Sequence, residues 1–148
     1  MTAKQYLQRG YRLNELIKSH REELANLHAM VGSVGATTYD KVGGRATKWN
    51  GDTAEQNLVI KCVDLENLIK SEINDMVDLM HEIHTTIEAV QDRDQRLVLR
   101  CRYILFLNWE DTAARMSYSY PQARRIHGAA LQSVIVPEKY ATQEDEQR

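Results

Sequence analysis

Six residues in the stretch "SYSYPQARRIHGAAL" carry groups that can read a nucleic acid: Tyr118, Ser119, Tyr120, Gln122, Arg124 and Arg125. An arginine guanidinium can donate to phosphate oxygens or to O6 and N7 of guanine, and a glutamine amide can pair with N6 and N7 of adenine. Tyrosine and serine hydroxyls at the entrance of such a stretch can donate to phosphates. Arg100 and Arg115 are candidates for secondary phosphate contacts. At 100° per residue, Ala123, Ile126, Ala130 and Leu131 share one face of a helix. Pro121, Gln122, Arg124, Arg125, Gly128 and Ala129 then point outward, and His127 inward.

No other group of residues makes a comparable case. His81, His84 and Glu88 have spacing that could clip a metal, but on an acidic helix they read as solvated side chains. The eight acids of residues 53–91 are spread along many turns, unlike paired catalytic carboxylates. There is no glycine-rich phosphate loop after a strand and no nucleophile signature, so we expect neither an enzyme nor a metal or other cofactor. His20 lies near an apolar stripe and reads as a partly buried, hydrogen-bonded histidine. Cys62 and Cys101 have neither CxxC spacing nor a disulfide framework and read as reduced thiols of a cytoplasmic protein.

The basic stretch needs a helix to present it, and the local signals supply one. Asn108 can cap a helix over Trp109–Met116, with Glu110 and Asp111 in its first turn. Ala113 is small enough for close helix contact. Ser117 falls in a tight turn where glycine would adopt a positive φ more cheaply. Ser119 can cap a second helix over Tyr120–Ser133, and Pro121 is tolerated in its first turn. A preceding helix is expected from Gln95 to Leu107, capped by Asp92 or Asp94. From the residues alone, this unit fits a helix-turn-helix that enters a major groove and equally two packed helices with a solvated basic face.

The N-terminal part is helical by period. Leu13, Leu16, Ile17, Leu24, Leu27 and Val31 recur at three- and four-residue steps. Cys62, Ile69, Ile73, Met76, Met80, Ile83, Ile87 and Val90 form a heptad-like seam interrupted by Glu66, on a helix about 55–60 Å long. Between them, residues 32–52 hold five of the seven glycines and read as a long loop. The expected organisation is all-α. Residues 1–91 form a long antiparallel, coiled-coil-like helical hairpin, 92–136 a three-helix helix-turn-helix unit, and 137–148 a disordered tail. A stripe that long calls for a partner, either the other arm of the hairpin or a second copy in a homo-oligomer, with a dimer favoured.

Composition sets the outer limits. Of 148 residues, 43% are hydrophobic and 27% charged, which is globular, and the longest apolar run, "YILFL", is too short for a bilayer. The net charge of −2 conceals a polarity. Residues 53–91 hold two lysines against eight acids, whereas residues 92–137 hold seven arginines against four. The basic end coincides with the candidate recognition stretch.

From "LVLRCRYILFLNWEDTAARMSYSYPQARRIHGAAL" the chain resembles region 4 of sigma-70-type factors. It is similar to a phage and prophage family of small sigma-region-4-like proteins related to ArpU-type late-gene regulators. The family opening "AKQYLxxxYRL" is matched by Ala3 to Leu13, its "DLE" by Asp64 to Glu66, and its C-terminal motif loosely by Leu99 to Leu131. Cys101 and Arg102 interrupt "LRY", Thr112 stands for isoleucine, Ser117 for glycine, and Ala129 for an arginine. The resemblance implies a DNA-binding transcription regulator that contacts double-stranded DNA and RNA polymerase in a bacterial host. Two other functions stay open: a DNA-packaging adaptor like small terminase subunits, and a helical module that binds polymerase or a host protein without touching DNA.

Overall fold

The computed structural model describes residues 1–39 and 47–141, with side chains over 1–33 and 53–141. Every regular element among the described residues is helical, and the chain is all-α. The helices are α1 (Ala3–Tyr39), α2 (Thr47–Glu88), α3 (Arg93–Leu99), α4 (Trp109–Met116), α5 (Tyr120–Ser133) and α6 (Glu138–Ala141). A π-helical turn, Arg100–Ile104, follows α3. No helix of the described residues is long and apolar enough to cross a membrane.

Both long helices run further than their apolar patterns predict. α1 continues past Val31 to Tyr39, and α2 begins at Thr47 rather than Thr53. Once a helix is nucleated each added residue gains a hydrogen bond, so scattered glycines are carried within it. The remainder of the expected loop, residues 40–46, lies outside the described residues.

Contacts divide the chain into two compact units, and α1 and α2 contribute to both: Glu15–Asn74 is one, and Met1–Asn14 with Asp75–Arg148 the other. In the Glu15–Asn74 unit the two helices run antiparallel, with His20 opposite Glu72 and His28 opposite Glu66. Ile17, Cys62, Leu65 and Ile69 are buried between them. Two details depart from the period-based expectation. Leu16 is 47% exposed, leaving Ile17 to fill the interface. The seam passes through Leu65 where Glu66 was expected to interrupt it, and it includes buried Glu72. Glu72 is tolerated there because His20 Nδ1 lies 2.6 Å from its Oε1, which satisfies the buried carboxylate.

In the other unit, the N-terminal turns of α1 pack on the C-terminal half of α2. Tyr6, Leu7, Ile83 and Ile87 are fully buried, and Val98 and Leu99 of α3 and Ala123 and Ala130 of α5 close over them. Gly10 permits the close approach: a Cβ there would stand 3.0 Å from Met80 Sδ and 3.2 Å from Ile83 Cδ1.

The expected single helix from Gln95 to Leu107 is replaced by α3 and the π turn. Leu105 N–H donates to Arg100 O and Leu107 N–H to Cys101 O. In an α-helix Arg102 would fall between the positions of Val98 and Leu99 on the buried face. The wider turn shifts the phase, so that Cys101 and Tyr103 are buried instead. The run ends at Phe106, whose φ of 54° is left-handed.

Residues 138–141, expected within a disordered tail, form α6. Its anchor is the Glu82 carboxylate. Oε1 accepts from Tyr6 Oη and Arg9 Nη2 (both 2.9 Å), and Oε2 from Lys139 Nζ at 2.9 Å. The Arg9 guanidinium lies between the Tyr6 and Tyr140 rings, 4.4 and 4.2 Å from their centroids. Burial pushes the Glu82 pKa up, but the hydrogen bonds from Lys139, Arg9 and Tyr6 outweigh it and hold the group at about 2, below its ordinary 4.5. The folded chain therefore binds fewer protons here than the unfolded chain, and the stabilisation is complete above 4.5 and lost as pH falls through about 2. Glu82→Gln should cost about 1–3 kcal/mol near neutral pH. Urea midpoints across acid pH check this: the deficit against wild type should shrink between 4.5 and 2, and a constant deficit contradicts the assignment.

Candidate nucleic-acid interface

The two short helices that carry the candidate residues begin and end where their capping signals lie. Asn108 accepts from Asp111 N–H at 2.8 Å and opens α4. Thr112, buried where the resembling family has isoleucine, satisfies its hydroxyl by donating to Asn108 O at 2.7 Å. Ser117 ends α4 in the left-handed region with φ 59° and ψ 35°. Tyr118 N–H donates back to Ala113 O at 3.1 Å, closing the turn. Ser119 then caps α5, its Oγ accepting from Gln122 N–H at 3.4 Å.

Small side chains bring the two helices together. Ala113 of α4 and Ala123 and Ala130 of α5 are buried in one cluster with Met116, with Trp109, Ile126 and Leu131 packed beside them. The outward face of α5 is the expected one: Pro121, Gln122, Arg124, Arg125, Gly128 and Ala129 are all exposed. A Cβ added at Gly128 would meet nothing within 4 Å, so the glycine leaves open surface rather than relieving a contact.

The candidate residues differ in how free they are. Gln122 and Arg125 are exposed, and Arg125 has no hydrogen bond or ion pair among the described residues. Arg115 is likewise exposed and unpaired there. Arg124 donates to Tyr120 Oη at 3.2 Å, and its guanidinium sits 5.4 Å from the Trp109 ring. Tyr118 donates its hydroxyl to Asp94 at 2.7 Å, which raises its pKa, and Ser119 is used as the cap. Arg100 is committed elsewhere: it donates to Glu88 at 2.8 Å and lies 3.2 Å from His84 Nδ1. Two of the three residues with metal-ligand spacing, His84 and Glu88, thus share this arginine as a neighbour.

Behind α5 lies a second basic surface, within the same unit. Arg102 of the π turn stacks on the Trp109 ring at 4.5 Å and donates to Leu107 O at 2.6 Å. His127 points inward as expected: its Nε2 and Tyr103 Oη are hydrogen-bonded at 2.8 Å, and its ring meets Trp109 edge-on. Lys4 of α1 lines the same concavity with Arg102 and Arg124. Sequence reasoning missed Lys4, because its proximity to α5 exists only after the N-terminal turns of α1 have packed.

Burial, followed by the charges of Arg102, Lys4 and Arg124, pushes His127 down to about 4 from an ordinary 6.5. Between these values the unfolded chain binds a proton that the folded chain does not. Stability therefore falls as pH drops from 6.5 toward 4. Because the ring is only partly buried and solvent screens its neighbours, the expected loss from this group is on the order of 2 kcal/mol, less than the full shift implies. His127→Gln should flatten that part of the stability–pH curve in chemical denaturation, and an unchanged curve would remove His127 as its source. No family model, curated protein or solved structure matches the chain.

Proposed function

We propose that the chain is a phage-encoded, DNA-binding transcription regulator in which α4, the Ser117–Ser119 turn and α5 act as a helix-turn-helix. The observation that carries this reading is the outward face of α5. It combines Gln122, Arg124 and Arg125 with small neighbours at Gly128 and Ala129, and it lies directly after a tight turn capped by serine. A bare, basic helix face allows the backbone to approach base edges, and an unpaired Arg125 loses no internal partner on binding. The resemblance of Leu99–Leu131 to sigma region 4 supports the same reading and adds RNA polymerase as a second partner. Val59, Ile60 and Val63, exposed on successive turns of α2, support self-association as a dimer.

Fluorescence anisotropy with duplexes selected from random DNA tests the proposal. Arg125→Ala should weaken binding by about 1–3 kcal/mol and lower the salt dependence. Gln122→Ala should relax selectivity at one base pair. Arg100→Ala should have a smaller effect, since Glu88 already holds that guanidinium. No retention of any duplex at low salt would overturn the DNA reading, and polymerase capture that survives charge reversal at Arg124 and Arg125 would replace it with the interaction module.

A further inference from the structure

The concavity behind α5 has the features of a ligand site in its own right. It encloses about 440 Å³, within the range of small-molecule pockets. Lys4, Arg102 and Arg124 line it from three different segments, and no carboxylate does. Lys4 has no partner among the described residues. Of the Arg102 donors, Nη1 alone finds an acceptor there, and Nε is buried with none. Nε is closed to solvent, so the Arg102 donor that an anion in the cavity can take is Nη2, which has no acceptor among the described residues. The opposite wall is aromatic: Tyr11, 47% exposed, and Phe106 meet edge to face with centroids 5.9 Å apart.

Two backbone irregularities border the same cavity. Arg102 projects from the π-helical turn, and Phe106 holds a φ of 54° that a bulky side chain rarely adopts. Such irregularities concentrate at functional sites. Burial first, and then the three cations together, keep His127, which lines the cavity, neutral.

We propose that this cavity binds a nucleoside monophosphate, with its phosphate among Lys4, Arg102 and Arg124 and its base against Tyr11 and Phe106. Three cations suit a phosphate dianion better than a single carboxylate. Stacking of a base on aromatic rings tolerates any base identity. The site is separate from the outward face of α5, although Arg124 borders both.

Isothermal titration calorimetry of the full chain with adenosine 5′-monophosphate, without DNA, tests this, together with ¹⁵N spectra of the arginine Nε–H region. Saturable binding with a dissociation constant below about 1 mM is expected, with a shift of the Arg102 signal. Adenosine and inorganic phosphate, each lacking half of the ligand, should bind at least about tenfold more weakly. Lys4→Ala removes an exposed side chain without an internal partner, and should weaken binding roughly fivefold with an unchanged melting temperature. Arg125→Ala should bind the nucleotide as wild type does, which separates this site from the DNA-binding face. Absence of saturable binding, or binding of a 5′-phosphorylated oligonucleotide but not of the mononucleotide, would overturn the proposal.

Discussion

A fully buried tyrosine must place its hydroxyl against a partner, and that requirement at Tyr6 sets the register of the C-terminal unit. The ring packs with Leu7 against Ile83 and Ile87, while the hydroxyl lies within hydrogen-bond distance of both Glu82 and Thr86. Sliding α1 by one residue along α2 would bury the ring with its hydroxyl unpaired, a penalty comparable to the loss of a hydrogen bond and a large share of a small domain's stability. With that register held, Gly10 meets Met80, and Arg9 reaches Glu82. The carboxylate can then collect Lys139, so α6 depends on a contact made some 130 residues earlier in the chain.

The same acids that give α2 its negative charge decide which arginines stay available. Glu82 holds Arg9, and Glu88 faces both Arg96 and Arg100. The basic excess of residues 92–137 is therefore smaller at the surface than the composition suggests. It is concentrated in the exposed Arg93, Arg115 and Arg125 and in Arg102 and Arg124, which Lys4 of α1 joins at the cavity. Charge counting along the sequence found the polarity, but only packing assigns each cation to a structural or an open role.

Legibility followed the range of the interaction. The limits of α4 and α5 and the outward face of α5 were readable because capping and helical phase are local: Asn108, Ser119 and the spacing of Ala123 and Ala130 carry them. The fold class was readable from apolar period for the same reason. The π turn was not, because an α-helical phase and a shifted one differ only in whether Arg102 or Cys101 meets the core. Nothing local marks Glu72 off from the other acids of residues 53–91; its burial depends on His20, some fifty residues away in the chain. Lys4 and α6 were out of reach, since each is positioned by residues far away in the chain.

Trp109 explains why the two adjacent arginines of α5 differ. Its ring contacts Arg102 and Arg124 as cations and His127 edge-on, and Tyr120 leans against it. Arg124 is thereby restrained before any ligand arrives, and Arg125, one residue on, is not. A restrained side chain surrenders less conformational entropy on binding, whereas a free one gives up more but can follow an irregular target. One suits a fixed anion position and the other adjustment along a groove. A single tryptophan at the start of α4 thus divides a pair of identical side chains into a preorganised and an adaptable contact.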